Sequence, residues 1–159
     1  MYTTLNKIRT HAPCADGWKK LLKHLGKTEA DNEPINIKTI IESNGLEDAL
    51  WCLRAVEGKD KEIRLYAVWC ARQVQHLMTD QRSLDALDVA ERFANGLASK
   101  EELKTARDAA RAAAWATSGI AAGVAAWAAK DAAGAAAWDA AQVAAKEAQT
   151  KKLIEICEE

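Results

Sequence analysis

Alanine dominates the last third of this 159-residue chain and restricts the folds that it can adopt. More than half of the residues from Ala109 to Ala148 are alanine, the strongest helix former. A single helix from Lys100 to Glu147 would be about 70 Å long at roughly 1.5 Å per residue, too long for a small domain to support. We therefore predict an all-α fold, a compact multi-helix bundle with a broken alanine-rich C-terminal helix or helical hairpin. The predicted break lies at Thr117–Gly119 or near Asp131–Gly134.

The chain length fits one all-helical domain covering residues 1–159. Residues 1–97 form its predicted short-helix core, because they carry most of the Leu, Ile and Val. Residues 98–159 are rich in Ala and Trp, and alanine surfaces bury little area each. Such helices gain stability by close packing or by self-association, so we expect them to pack on the core or to mediate a homo-oligomer.

Start and stop signals divide the first hundred residues into short helices. Asp16 is the predicted cap of the first helix, and Lys27–Pro34 is the predicted loop. Ser99 and Glu102 form a capping box that opens the alanine-rich tract. The predicted helices are Gly17–Leu25, Asn36–Ser43, Leu46–Glu57, Asp60–Met78 and Ser83–Ala94.

Net charge and cysteine spacing indicate which class of partner and which cellular compartment to expect. A net charge of −1 with mixed signs argues against a surface that coats nucleic acid. The four cysteines lack metal-ligand spacing and no signal-peptide run opens the chain, so we expect a reducing cytoplasm. The uncharged segment Ala112–Ala129 has the length of a short membrane span, but its composition is too weakly apolar, and no membrane association is expected.

An eight-residue pattern, A-x-W-C-x-R-x-V, occurs at residues 49–56 and again at 67–74. On a helix its Ala, Cys and Val share one face, while its Trp and Arg share a neighbouring face. We predict that each copy turns its small residues inward and that the two helices present indole and guanidinium groups to one surface. Such a surface suits a flat anionic ligand or an acidic protein surface. The alternative is a duplicated packing motif in which each Arg stacks on its own Trp.

Polar and aromatic residues elsewhere extend this candidate site. His76 and Asp80 continue the stripe of the second copy and could orient an imidazole for acid–base chemistry, or could only stabilise a helix end. The alanine-rich tract begins with another pairing of arginines and tryptophan. The predicted ligand-binding residues are Trp51, Arg54, Trp69, Arg72, His76, Asp80, Arg82, Arg107, Arg111 and Trp115.

The sequence carries no complete catalytic constellation. A general base without a nucleophile, metal or second carboxylate is incomplete, so we do not expect an enzyme. Phosphate loops, nucleophile elbows and zinc-protease motifs do not occur, and no cofactor is expected. The acidic stripe Asp85, Asp88 and Glu91 could hold a divalent metal, but we interpret it as a solvated face and expect no metal.

Residues 64–116 resemble an immunity-protein family of small alanine-rich helical proteins from bacterial and phage genomes. The resemblance lies in W-C-A-R at Trp69–Arg72, D-x-R-S at Asp80–Ser83, A-L-D-x-A-E-x-F-A-x-G at Ala86–Gly96 and L-x-x-A-R-x-A-A at Leu103–Ala110. It covers about a third of the chain, with looser likeness in Leu46–Val56 and the Ala/Trp tail. The resemblance implies a non-enzymatic protein that neutralises a toxin or defence agent by binding it.

Two functions are compatible with these patterns. The first is sequestration of a small anionic nucleotide-like immune signal, with indoles stacked on the base and arginines on the phosphates. The second is inhibition of a protein toxin or effector, because Trp and Arg are also enriched at interface hot spots.

Overall fold

Helices make up most of the structure, a computed structural model that describes residues 1–73, 75–112 and 132–158. This confirms the predicted all-α multi-helix fold. The helices are α1 (Leu5–Thr10), α2 (Ala15–Leu25), α3 (Ile37–Asn44), α4 (Leu46–Cys52), α5 (Asp60–Gln73), α6 (Gln81–Ala94), α7 (helical residues 100–112) and α8 (Ala132–Glu158). Of the predicted break sites, Thr117–Gly119 lies outside the described residues, and Ala132–Gly134 belong to α8.

The chain divides into two compact units. Unit 1 comprises Met1–Asp60 together with Lys146–Glu159, and unit 2 comprises Lys61–Ala145. The two copies of the eight-residue pattern therefore belong to different units.

Unit 1 is built around a two-strand ladder and α3. The strands β1 (Tyr2–Thr3) and β2 (Ile35–Asn36) pair antiparallel, with Thr3 opposite Ile35. Strands this short leave no alternating pattern in the sequence, which is why they were not among the predicted elements. The Thr3 hydroxyl donates to the Ala55 carbonyl at 2.6 Å, which satisfies a buried polar group. The largest fully buried side chains of this unit are Leu5, Ile8, Ile37, Ile40 and Leu153.

The C-terminal part of α8 completes the unit 1 core. Leu153 and Cys157, one helical turn apart, are both buried. Lys38 reaches Glu158 at 2.8 Å and Lys146 reaches Glu47 at 2.9 Å. An apolar stripe with ion pairs at both ends therefore fixes residues 146–158 against the N-terminal helices.

Several helix ends differ from the sequence prediction. The cap of α2 is Cys14, whose sulfur accepts a hydrogen bond from the Gly17 N–H at 3.4 Å, and Asp16 lies in the first turn. A 3₁₀ turn, Leu53–Ala55, ends α4 before the predicted Glu57. A second 3₁₀ turn, Gln75–Leu77, follows α5.

Other helix ends agree with the prediction or shift by a few residues. The helix α6 begins at Gln81 and not at the predicted Ser83, and Asp80 caps it with a carboxylate that accepts from the Arg82 N–H at 2.9 Å. The predicted capping box before α7 is confirmed, since Ser99 N–H donates to Glu102 at 2.7 Å and Glu102 N–H to the Ser99 hydroxyl at 3.1 Å. The helix Ile37–Asn44 and the loop after Gly26 also lie where they are predicted.

Within residues 1–73, 75–112 and 132–158, no helix combines the length and apolar character needed to span a bilayer. Of the uncharged segment Ala112–Ala129, all but Ala112 lies outside this part of the chain.

Candidate functional site

In the first copy of the repeated pattern, an arginine stacks on its own tryptophan. The Arg54 guanidinium carbon lies 4.3 Å from the centroid of the Trp51 ring, and Arg54 Nε donates to the Trp51 carbonyl at 2.8 Å. Ala49 and Cys52 are buried, as the predicted inward stripe requires. This copy therefore has the geometry expected of the packing alternative, with Arg54 exposed above the ring.

The second copy is buried differently, and the predicted inward stripe is wrong there. Ala67 is exposed, whereas its neighbours Tyr66 and Val68 are buried. Burying Tyr and Val removes more apolar area from water than burying Ala does, so α5 is oriented by its larger side chains. Trp69 stacks on Tyr66, with ring centroids 6.5 Å apart and planes 20° from parallel.

Arg72, the arginine of the second copy, is held by acidic side chains of α6. Its NH2 group donates to Asp88 at 2.6 Å and to Glu91 at 2.7 Å, and NH1 donates to Gln75 at 3.0 Å. Hydrogen bonding to the two carboxylates raises the pKa of Arg72. Two residues of the acidic stripe thus bind a guanidinium, and no metal-type cluster of His, Cys, Asp or Glu occurs among the described residues.

The predicted His76–Asp80 pair loses its structural basis. Because α5 ends at Gln73, His76 lies in an exposed 3₁₀ turn and not on a continuous helix with Asp80. Arg82 donates to both oxygens of Asp80, at 3.0 and 2.7 Å, and this contact lowers the pKa of the carboxyl. The Asp80 carboxylate therefore serves as the cap and ion-pair partner of α6.

The remaining predicted residues are placed only in part. Arg107 and Arg111 are exposed on α7 of unit 2, and Trp115 lies outside the described residues. Trp51 and Arg54 belong to unit 1, and the other described members of the set belong to unit 2. A common Trp/Arg surface remains a prediction.

Unit 1 contains a pocket of about 270 Å³ between α2, α3 and α4. Its floor is apolar and buried, formed by Ile8, Leu21, Ile40 and Cys52. The remaining lining residues are Pro13, Cys14, Gly17, Trp18, Asn44, Glu47, Asp48 and Trp51. Both tryptophans are half-buried, which is the usual state of an indole at a recognition surface.

A hydrogen-bond network fixes one wall of this pocket. The Asn44 side chain donates to the Gly17 carbonyl at 2.8 Å and to Asp48 Oδ2 at 2.7 Å. A Cβ atom at position 17 would lie only 2.7 Å from that same carboxylate oxygen, so glycine permits the close approach of α2 and α4. The network holds Asp48 at the pocket wall through a neutral donor.

The pocket is negatively charged. Among the described residues, its lining contains Glu47 and Asp48 and no Lys, Arg or His. Lys146 donates to Glu47 at 2.9 Å and lowers the pKa of that carboxyl, so Glu47 is partly neutralised. Burial, with a smaller contribution from Asp48, raises the pKa of the Cys52 thiol to about 12, and Cys52 contributes a neutral group to the floor.

Sequence reasoning identified Trp51 but missed Trp18, Asn44 and Asp48. Two features of the sequence could have indicated these residues. They are the Gly17–Trp18 pair in the first turn of an amphipathic helix, and Asn44 immediately before Gly45. Neither signal indicates that three separate helices meet at one cavity.

Comparisons with models of protein families, with curated proteins and with solved structures found no match to this chain.

Proposed function

We propose that this protein is a non-catalytic neutraliser that binds and inhibits a protein toxin or effector through the pocket face of unit 1. The functional class in this proposal, a neutralising protein, comes from the resemblance to immunity proteins. That resemblance extends loosely to Leu46–Val56 in the pocket wall. The observation that carries it is the pair of half-buried indoles at a small apolar pocket. Tryptophan and arginine are the residues most enriched at interface hot spots, and Arg54 lies directly over one of these indoles.

The charge distribution favours a protein target over a nucleotide. Arg72, which was predicted to hold a phosphate, and Arg82, a predicted ligand-binding residue, already bind carboxylates of their own chain. A phosphate at either arginine would have to displace a charge-assisted hydrogen bond of similar strength. The pocket itself presents two carboxylates, and its volume of about 270 Å³ lies just below the range for small-molecule sites, which begins near 300 Å³.

Photocrosslinking in the native cell tests the protein target. We expect p-benzoylphenylalanine in place of Trp18 to capture one defined protein, and the same residue in place of exposed Tyr2, which does not line the pocket, to capture none. The captured protein is then purified, and its activity should fall on addition of the wild-type chain. An adduct whose activity is unchanged by the wild-type chain would exclude inhibition.

Sequestration of a nucleotide-like signal is the second candidate, supported by the exposed Arg107 and Arg111 on α7. A panel of cyclic and linear nucleotides tests it by thermal unfolding. Tight binding would raise the apparent free energy of unfolding by about 2.7 kcal/mol at a hundredfold excess over Kd. A selective increase in the free energy of unfolding that is lost in Arg107→Ala would indicate that the target is a small molecule and not a protein.

Self-association through the alanine-rich tract is part of the same proposal. Its physical basis is the small area that each alanine buries. Analytical ultracentrifugation of the full chain measures self-association. A monomer at micromolar concentration would refute self-association but would not affect the proposed docking face.

A further inference from the structure

We propose that the unit 1 pocket is the receptor site for one arginine side chain of the partner protein. That the arginine belongs to a protein rests on the proposed function. The preference for an arginine side chain rests on the pocket alone. Three properties of the pocket lead to this assignment: its size, its charge and its aromatic walls.

The volume selects an occupant of side-chain size. A cavity of about 270 Å³ holds one long side chain, and it is smaller than the sites that usually enclose a whole cofactor or drug-sized ligand. Its floor of Ile8, Leu21 and Ile40 is almost completely removed from solvent. An apolar floor suits the methylene stem of arginine, which buries readily when its charged end is satisfied.

The charge of the wall selects a cation. Asp48 is the carboxylate available to an incoming guanidinium, because its partner in unit 1 is the neutral Asn44 amide. Glu47 adds negative potential but already binds Lys146. A carboxylate whose partner is a neutral amide can accept a further, charge-assisted hydrogen bond from a guanidinium.

The indoles favour guanidinium over ammonium. Trp18 and Trp51 both line the cavity, and guanidinium groups stack on aromatic faces as well as binding carboxylates in a planar fork. The protein makes this contact within its own chain, where the Arg54 guanidinium lies 4.3 Å from the centroid of the Trp51 ring and the Arg64 guanidinium lies 5.1 Å from that of Phe93. Since Arg54 is outside the pocket lining, it does not fill the proposed site.

A matched pair of probes tests the assignment without the partner. The probes are N-acetyl-arginine methylamide and N-acetyl-citrulline methylamide, which have nearly the same shape but differ in charge. Binding to the full chain is followed by the indole N–H signals in nitrogen–proton NMR spectra. The signals of the two pocket tryptophans are assigned from Trp18→Phe and Trp51→Phe.

We expect the arginine probe to shift both pocket indoles and to bind about tenfold more tightly than the citrulline probe, equivalent to about 1.4 kcal/mol. Asp48→Asn should remove most of that preference, because the amide retains an acceptor for Asn44 but loses the charge. Glu42→Gln, which removes an exposed carboxylate from α3 outside the pocket, should leave it unchanged. The dispersion of the indole signals reports whether each variant is folded.

Equal affinity for the two probes, or a preference that survives Asp48→Asn, would overturn the arginine assignment. Shifts of the pocket indoles by adenosine monophosphate and not by the arginine probe would also overturn it. The two proposals fail separately. Absence of arginine binding leaves a Trp18 photocrosslink intact, whereas absence of a crosslink leaves the probe measurement unaffected.

Discussion

Arg54 and Arg72 hold the same position in two copies of one pattern, yet Arg54 lies over its own indole while Arg72 is bound by two carboxylates of α6. The small residues differ as well, since Ala49 is buried and Ala67 is exposed. The first copy spans the end of a short helix and a 3₁₀ turn, whereas residues 67–73 of the second copy lie in a fourteen-residue helix. The shared pattern therefore sets helical spacing, but the neighbouring elements decide which face is buried and which partner each side chain meets.

The largest expected difference between the copies comes from their alanines. Ala49→Leu should lower the free energy of unfolding by about 1–3 kcal/mol, because a fully buried position has no room for three more carbons. Ala67→Leu, the matched change in the second copy, should stay within about 0.5 kcal/mol. Urea unfolding of both variants measures this. Equal losses would show that the two copies are packed alike.

The second-largest expected difference between the copies comes from their arginines. Arg72→Gln should lower the free energy of unfolding by about 1 kcal/mol, because it leaves Asp88 and Glu91 facing each other without a cation. Added salt should shrink this loss by screening the remaining carboxylates. Unfolding at low and high salt tests both points, and a loss independent of salt would contradict the ion-pair explanation.

Arg54→Gln should have a smaller effect, about 0.5 kcal/mol, which is typical of an exposed cation–π contact. The same urea experiment measures it. Arg54 contacts the ring and the carbonyl of Trp51, neither of which is charged, so the loss should depend little on salt. A loss equal to that of Arg72→Gln would mean that both copies use their arginine in the same way.

The cysteines of the two copies should affect the free energy of unfolding differently only at high pH. Burial raises the pKa of the Cys52 thiol from its ordinary 9.0 to about 12, so the folded state retains a proton that the unfolded chain releases. The free energy of unfolding should therefore fall as the pH rises above about 9, and this part of the fall should disappear in Cys52→Ala. Cys70→Ala should remove less of it, because Cys70 is only half-buried. Identical pH profiles for wild type and Cys52→Ala would refute the explanation.

Much of the fold could be predicted from local chemistry. The helix at Ile37–Asn44 follows from the spacing of its isoleucines and the Asn44–Gly45 stop, and the capping box from Ser99 and Glu102. Helix ends were less predictable, since Cys14 caps α2 in place of the expected Asp16. A thiol is a weak acceptor, and nothing in the local sequence favours it over the carboxylate of Asp16 two residues later.

The candidate site could be predicted only in part. Trp51 follows from the repeated pattern, but Trp18 and Asp48 come from other helices with no shared spacing. The arginines predicted to bind phosphate are visible in the sequence, whereas the carboxylates that bind Arg72 lie 16 and 19 residues further along the chain. Contacts over such separations depend on how helices pack, and periodicity carries no information about that.

The sequence by itself determined that this chain is helical, where its strongest caps lie and which indoles and guanidiniums it offers, because helix propensity and capping act within a few residues. The tertiary structure alone decided that Ala49 is buried and Ala67 exposed, that Arg72 meets Asp88 and Glu91, and that two indoles and two carboxylates surround one apolar pocket. These outcomes depend on which large apolar surfaces leave water together, a property of the assembled core rather than of any one segment.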